Sequence, residues 1–497
     1  MNTNSLHLKL SLSMKRFVGI LSGTITIASL YIFGNLFLFD SRQSKISRLD
    51  SGYVSDSAKY HLSEAIQIKT VSYDDPDLID SSEFVKFRNY LQYTYPTVFS
   101  NSEYHLFGTY SYLIKWEGSD ASLKPIVLMS HFDVVPALEE NIAEWKYPPF
   151  SGAIKDGVIW GRGAIDDKVG VIGILEAVQS LMKSGFKPKR TIYMAFGHDE
   201  EINGTHGASS MAHYLKQQGI EAEFVLDEGG YITQGLVPGM EKDVALVGTT
   251  EKGFLTVELS TDIEGGHASM PKTESAISVL TKAVNDVVNN PFPSYISPPL
   301  KDFIDFVGPE MPFGLKTVFA NSALLEPVLM SVYEKSPSSN ALVRTTIAPT
   351  IISAGMKSNV LPKKAHAVLN IRILPGETVD YVFNSIKEKV NNERVKLRIL
   401  NKSEAAPISD AYSDSFKLLD QSIKETFGDI VVSPYIMIAA SDSRHYSQIS
   451  QNVLRFCPFH LNKENLDTIH GENERIGVVE FENSIRFYQQ LIKNTTN

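Results

Sequence analysis

The sequence predicts an α/β protein with a second domain inserted into the first. Three observations carry this reading. Short apolar runs alternate with a stretch of helical period between residues 125 and 227. Near Glu251 the pattern switches to strict period-two alternation, as in a half-solvated strand. The elements that follow fall in the order β-α-β-β-α-β, the split βαβ arrangement. With 497 residues, 43% of them hydrophobic, the chain is long enough for two to three domains of roughly 100–200 residues each. Its net charge of −10, without a long Lys/Arg run, argues against a nucleic-acid partner. The single cysteine, Cys457 in Val453-Leu454-Arg455-Phe456-Cys457, has no intrachain disulfide partner and reads as a core thiol.

Residues 1–16 form an N-terminal basic segment closing on Lys15 and Arg16. Phe17 to Phe39 then carries no charge and spans about 35 Å as a helix, enough to cross a hydrocarbon core of about 30 Å. A cleavable signal has an apolar stretch of about 7–15 residues and a small-x-small site. This run is longer and ends in Leu36-Phe37-Leu38-Phe39, so residues 17–39 read as a transmembrane signal anchor. The bulk of the chain is then expected on the exoplasmic or luminal side, or secreted if the segment is cleaved. Arg42, Lys45 and Arg48 follow closely and blunt the charge asymmetry that sets topology.

The first domain is expected over residues 50–250. Pro125 to Ser130, Thr191 to Phe196 and Phe224 to Leu226 read as buried strands of a largely parallel sheet. Between the first two, Val171, Ile174, Leu175, Val178, Leu181 and Met182 recur at helical spacing, and Gly185 supplies a stop. The second domain is expected over 251–400. It has a strand at Phe254 to Ser260, a helix at Ala276 to Val288 and strands near Thr350 to Ile352 and Ala367 to Ile373. A helix at Val379 to Val390 and a strand at Val395 to Leu400 complete it. Pro291 to Glu334, dense in Phe, Leu, Pro and Met, interrupts it and exceeds ordinary loop length. Residues 401–497 return to the first domain.

Candidate metal-binding residues stand where apolar strands end or in the last loop: His131 with Asp133, Asp166, Glu200 with Glu201, Asp227, and His470. In an open α/β sheet ligands gather at the carboxyl ends of the strands, so residues remote in sequence converge there. Two histidines and three carboxylates suit two divalent metals, zinc foremost, with manganese or cobalt as alternatives. Asp133, two residues beyond His131 on an extended backbone, points the same way and is placed to fix its tautomer. The glycines of Gly161 to Lys168 lack the third glycine of a dinucleotide fingerprint, and the carboxylates among them would repel pyrophosphate. A tight turn presenting one Asp between two cations fits better.

The runs Ser130 to Pro136, Gly161 to Lys168, Gly197 to Glu201, Leu226 to Gly230, Gly265 to Pro271 and Ile469 to Glu474 occur in order. Together they resemble the dizinc aminoacylase and carboxypeptidase metallopeptidase family. Trp145 to Gly152 and Gly197 to Glu201 most resemble its branch of carboxypeptidase S and the N-fatty-acyl-amino-acid synthase/hydrolase. The resemblance implies a three-layer αβα zinc-peptidase catalytic domain, with the insert as a ferredoxin-like βαββαβ lid. It implies two Zn2+ ions, one held by His131, Asp166 and Asp227 and the other by His470, Asp166 and Glu201, with Asp166 bridging and Asp133 orienting His131. Glu200 is then the general base, passing a proton from the attacking water to the leaving amine. Arg372 resembles the binder of the substrate's free carboxylate, supported by Asn359, and His267 the residue that stabilises the oxyanion, in dimeric relatives from the partner subunit. Ser441 stands where relatives usually carry Thr, which keeps the hydroxyl.

The expected function is zinc-dependent cleavage, or reverse formation, of the amide bond of N-acyl amino acids bearing a free carboxylate, N-fatty-acyl substrates included. A metallocarboxypeptidase acting on C-terminal peptide bonds is the alternative enzyme, and a membrane-anchored binding module the non-enzyme alternative. The expected partners are a small N-acyl amino acid or short peptide, the membrane through residues 17–39, and a second copy in a homodimer. Phe303 to Tyr333 is expected either to line a groove for a long acyl chain or to pack a lid core.

Overall fold

The computed structural model describes residues 12–49 and 52–495. Of the N-terminal basic segment, residues 1–11 lie outside the described residues. The centre of the molecule is a ten-stranded mixed sheet. Strands Ile126–His131, Ile192–Gly197 and Val225–Asp227 are buried throughout. The first pairs in parallel with the other two, and Val453–Arg455 extends the parallel set beside Val225–Asp227. Burial on both faces explains why these strands read as continuous apolar runs. Alternate residues separate into two layers: Ile126 and Leu128 pack with helices Lys168–Lys183 and Val478–Asn494, whereas Val127 and Met129 pack with helix Ala208–Gln217 and the turn Asp442–Gln448. This produces the helix-sheet-helix sandwich.

Away from these strands the sheet is more mixed than the apolar runs predict. Ser111–Trp116 runs antiparallel to Ile192–Gly197, and Glu103–Phe107 antiparallel beyond it. The outer strand is largely exposed, so its sequence lacks the apolar signature. Helix Lys168–Lys183 ends as its sequence predicts. Gly185 takes φ +81°, its N–H reaches Met182 O at 3.0 Å, and the Phe186 N–H reaches Leu181 O at 3.0 Å, closing the last turn.

The inserted unit consists of Gly253–Asp262, Ala276–Val288, Thr346–Ala354, Lys364–Ile373, Val379–Val390 and Val395–Ser403. Its antiparallel sheet runs in the spatial order Thr346–Ala354, Lys364–Ile373, Gly253–Asp262, Val395–Ser403, the ferredoxin-like arrangement. A separate core forms where Leu255, Val257 and Leu259 meet Leu280, Ala283, Val382 and Ile386. Chain entry and exit lie side by side, for the Ala406 N–H donates to Glu251 O at 3.2 Å and the Ser409 N–H to Thr249 O at 2.8 Å.

The apolar stretch after Pro291 folds into helices Pro298–Val307, Phe313–Ala320, Ser322–Tyr333 and Pro337–Val343. They pack on the large sheet. Leu300, Ile304, Leu329, Met330 and Val343 close over Ile436 of strand Val431–Met437, while Val307 and Met311 meet Val244 and Val431. Much of this segment thus packs on the body, while Phe313, Leu315, Leu324, Val328 and Val332 are exposed. At the amino terminus a helix runs from Leu12 to Phe37. Its stretch Gly19–Phe37 is long and apolar enough to cross a membrane, by length and composition, and is not buried, although Ile32 and Asn35 touch the body at Asn321.

Candidate metal centre

The parallel strands deliver the site. His131 is the last residue of its strand and is buried. Its Nδ1 lies 3.0 Å from Asp133 O and 3.4 Å from Asp133 Oδ1, which fixes the ring and leaves Nε2 to face outward from the strand end. Asp133 does more than orient one ring. Its two carboxylate oxygens accept the backbone N–H groups of Glu200 (3.1 Å) and Glu201 (3.2 Å), and Oδ2 also accepts the Ser72 hydroxyl at 2.8 Å. One buried carboxylate therefore sets both His131 and the acidic pair that follows strand Ile192–Gly197.

Asp166 sits between the two histidines. His131 Nε2 lies 2.9 Å from its Oδ1, and His470 Nε2 lies 2.9 Å from its Oδ2 and 3.3 Å from Glu201 Oε2. The turn that carries Asp166 needs Gly161 at φ +145°, since a Cβ there would stand 2.4 Å from the Ile66 side chain. His470 itself adopts φ +58°, a left-handed backbone that a non-glycine residue rarely takes.

Two sets of metal-capable atoms converge among the described residues: His131, Asp166 and Glu228, and Asp166, Glu201 and His470. The second set has the membership expected of one ion. In the first, Glu228 stands where the sequence reading puts Asp227; its Oε1 lies 3.9 Å from His131 Nε2. Asp227 ends its strand on the same side as Val225, beneath the turn Asp442–Gln448, and its Oδ2 accepts the Ser443 N–H at 2.8 Å.

The electrostatics fit a site for divalent cations. Burial, reinforced by neighbouring carboxylates, pushes the carboxyls of Glu200, Glu201 and Glu228 above their usual range. Burial opposes a charged His131 ring, yet its hydrogen bonds to Asp133 and Asp166 raise it well above the ordinary imidazole value. Hydrogen bonding to Asp166, then to Glu201, lifts His470 to about 10. Carboxylates that draw protons onto two metal-type histidines form a cluster that calls for positive charge. Glu201 Oε1 is buried with no hydrogen-bond partner, and such an orphaned acceptor is one that a cation would satisfy.

Among the described residues, the lid residues share no side-chain hydrogen bond or ion pair with this cluster. Arg372 pairs across the sheet with Phe254 and Thr346, close to where the lid joins the body. Its side chain makes no hydrogen bond or salt bridge among the described residues, and burial, with the Arg444 charge nearby, lowers its pKa. His267 is exposed on the short strand Gly266–His267, paired with Val360–Leu361, and its Nδ1 accepts the Ser269 N–H at 3.1 Å. Asn359 is also exposed, its carbonyl accepting the Ala268 N–H at 3.1 Å. That short pair adjoins the Lys364 end of its strand, eight residues or about 26 Å along the strand from Arg372. The fold thus groups Asn359 with His267 rather than with Arg372.

Two buried residues to which the sequence reading gives no role support the site. Glu474 Oε1 accepts the N–H groups of Gly163 (3.0 Å), Ile165 (2.8 Å) and Asp166 (3.1 Å). Arg455 Nε contacts Glu251 Oε2 at 3.0 Å, and the same oxygen accepts the Ser441 N–H at 3.0 Å, tying the lid junction to the loop behind Asp227. A charged residue inside an apolar run such as Val453 to Cys457 is the sequence signal that marks Arg455.

Comparison with known proteins agrees with this architecture. Residues 127–494 match the profile of peptidase family M20/M25/M40. The chain is 41% identical over 476 residues to probable carboxypeptidase S-like 2 of Dictyostelium discoideum, covering 93% of this chain and 91% of that protein. It is also 41% identical over 438 residues to the N-fatty-acyl-amino acid synthase/hydrolase PM20D1 of Xenopus tropicalis, covering 87% and 85%. Among solved structures, the M20 family metallo-carboxypeptidase Sso-CP2 from Sulfolobus solfataricus superimposes with a TM-score of 0.64 at 18% identity, over 89% of this chain and all of that one. Human carnosine dipeptidase 1 does so with 0.62 at 12% identity, over 89% and 96%. With residues 127–494 matching the family and relatives 41% identical over most of both chains, the chain belongs to peptidase family M20/M25/M40 and is a metallohydrolase of amide bonds.

Proposed function

We propose that the protein is a membrane-anchored, dizinc N-acyl-amino-acid amidohydrolase, working in either direction on amides whose amino-acid part keeps a free carboxylate, long-chain acyl groups included. The observation that carries this reading is Asp166, shared by His131 and His470 at 2.9 Å each and flanked by Glu201 and Glu228. His131, Asp166 and Glu228 would hold one ion and Asp166, Glu201 and His470 the other. Zinc bound there supplies Lewis-acid polarisation of the scissile carbonyl and a lowered pKa for the attacking water. Glu200 accepts the proton of that water and returns it to the leaving nitrogen, so that water and amide become carboxylate and amine. Its raised pKa suits a proton acceptor, and Asp133 holds its backbone in place.

Arg372 would take the free carboxylate, its guanidinium being half-buried without a hydrogen-bonded counter-ion. The remoteness of His267 and Asn359 from Arg372 favours their service to the site of a second copy. Strand Thr346–Ala354, an edge of the lid sheet with exposed Ile351 and Ile352, offers a surface for that pairing. The helix Leu12–Phe37 would anchor the catalytic body on the exoplasmic or luminal side. The division of the chain near residues 250 and 400 belongs to this reading.

The second reading, a metallocarboxypeptidase, is favoured by the name of the Dictyostelium relative. A competition assay separates the two. The zinc-loaded full chain is offered a long-chain N-acyl amino acid and a blocked dipeptide together. Preferential release of the fatty acid is expected, and preferential dipeptide cleavage would overturn the proposal in favour of a carboxypeptidase.

A further inference from the structure

The structure assigns a second membrane-seated element to this chain. We propose that helices Phe313–Ala320 and Ser322–Tyr333 dip their outward face into the lipid of the bilayer crossed by the N-terminal helix. The inference rests on the reading of that helix as an anchor.

Asn321, between the two helices, is buried and ties them to the anchor. Its Nδ2 donates to Ile32 O at 3.2 Å and to Thr317 O at 2.9 Å, while its Oδ1 accepts from Asn35 Nδ2 at 3.0 Å. Ile32 lies five residues, about 7.5 Å of helix, before the helix ends at Phe37. The contact therefore falls within the apolar span and not beyond it, which sets the helical pair at the depth of the outer edge of the hydrocarbon. Phe39 continues the contact, packing on the cluster of Leu300, Ile304, Leu329 and Met330.

The surface so placed has the chemistry of a lipid-facing one. Leu324, Val328 and Val332 recur at spacing four, each more than half exposed. Ala323, Pro327 and Ser331, the residues between them on that side, are exposed and uncharged. Phe313, 69% exposed, and Leu315 extend the patch onto the preceding helix. In water such a contiguous apolar stripe is costly, whereas in a bilayer interface it is the binding face of an amphipathic helix. The opposite face is committed to the body, where Leu329 and Met330 pack on Ile436 of strand Val431–Met437. That strand leads into the loop whose Ser443 N–H holds Asp227. The membrane surface and the metal centre are thus joined by one short run of chain, an arrangement suited to substrates whose acyl chains reside in the outer leaflet.

The test uses the full chain in phosphatidylcholine vesicles containing doxyl-labelled phosphatidylcholine. Val328→Cys, and as control Val479→Cys on the exposed start of helix Val478–Asn494, carry a thiol-linked fluorophore; unsubstituted protein with its buried Cys457 is the blank. The chain is expected to float with the vesicles. The label at 328 should be quenched by the doxyl lipid and shielded at least three-fold from aqueous iodide relative to that at 479. If the chain floats and both labels meet iodide equally, the inference falls and the anchor stands. A label at 328 shielded from both quenchers would mean that protein, such as a second copy, covers the face, which also overturns it. Failure to float overturns the anchor and the inference together.

Discussion

Glu474 and Arg162 form a buried ion pair, Oε2 to Nη1 at 2.7 Å, that holds the turn presenting Asp166. The other oxygen of Glu474 accepts three N–H groups of that turn, those of Gly163, Ile165 and Asp166, so the last loop, which carries His470, grips Asp166 from behind. Glu474→Ala leaves a buried guanidinium unpaired and three donors unsatisfied. The expected result is a loss of about 3–5 kcal/mol in urea unfolding together with reduced zinc retention. Wild-type stability and metal content would show that the pair does not position the turn.

Glu228 and Asp227 give opposite expectations. Glu228→Gln should lower bound zinc from two ions toward one, because its oxygen lies with His131 and Asp166. Asp227→Asn, which alters the contact with the Ser443 N–H, should weaken the loop at 441–445 while keeping more metal than Glu228→Gln. Metal analysis after dialysis decides between them, and the reverse order would return the ligand role to Asp227.

Which of two adjacent acids faces His131 is a question of backbone phase, and sequence carries that only where a strand's end is known to the residue. The convergence of His131, Asp166, Glu201 and His470 was legible because strand ends, a glycine turn and the last loop restrict where they stand. At Asp227-Glu228 the strand ends on the aspartate, so period-two alternation sends it toward the turn Asp442–Gln448 and leaves the glutamate free to face His131. The ferredoxin-like unit was legible from its periodicity. The helices between Pro298 and Val343 were not, since an apolar stretch with proline gives no phase, and only the sheet it covers decides which residues are core. Glu474 lies in a run that the sequence singles out, but its role does not show there, because three of its partners are backbone N–H groups and the fourth, Arg162, is 312 residues away.

Glu200→Gln should keep both metals and lose about 10²–10⁴ in kcat, since an amide cannot accept the water's proton. If His267 acts across a dimer, His267→Ala should lose about 10²–10³ in kcat, and subunits carrying Glu200→Gln mixed with subunits carrying His267→Ala should regain activity in hybrid dimers. The hybrid then has one site with an intact base and an intact partner histidine. Mixtures no more active than either variant would exclude service in trans.

Arg372→Ala should raise KM for substrates with a free carboxylate at least ten-fold, with little change for the corresponding amides. The comparison isolates charge recognition, because a merely structural arginine would affect both substrates alike. Its half-buried position beside Arg444 makes the carboxylate the expected counter-ion.

Lys168 gives a pH signature of stability. Its ammonium is fully buried, donates to Ala65 O and Ile68 O, and lies 5.2 Å from the Phe87 ring centre. Burial lowers its pKa to about 7, whereas an unfolded chain holds the proton to about 10.4. Between those values the unfolded state binds the extra proton, so stability rises with pH; the cost of the buried charge is fully present below about 7 and is relieved by about 10. Lys168→Met has no such group. Its stability relative to wild type should therefore fall by about 4 kcal/mol between pH 6 and pH 10, read from urea midpoints at equal zinc content. A difference that stays constant would mean that the two carbonyls and the Phe87 ring keep the ammonium charged throughout, offsetting its burial.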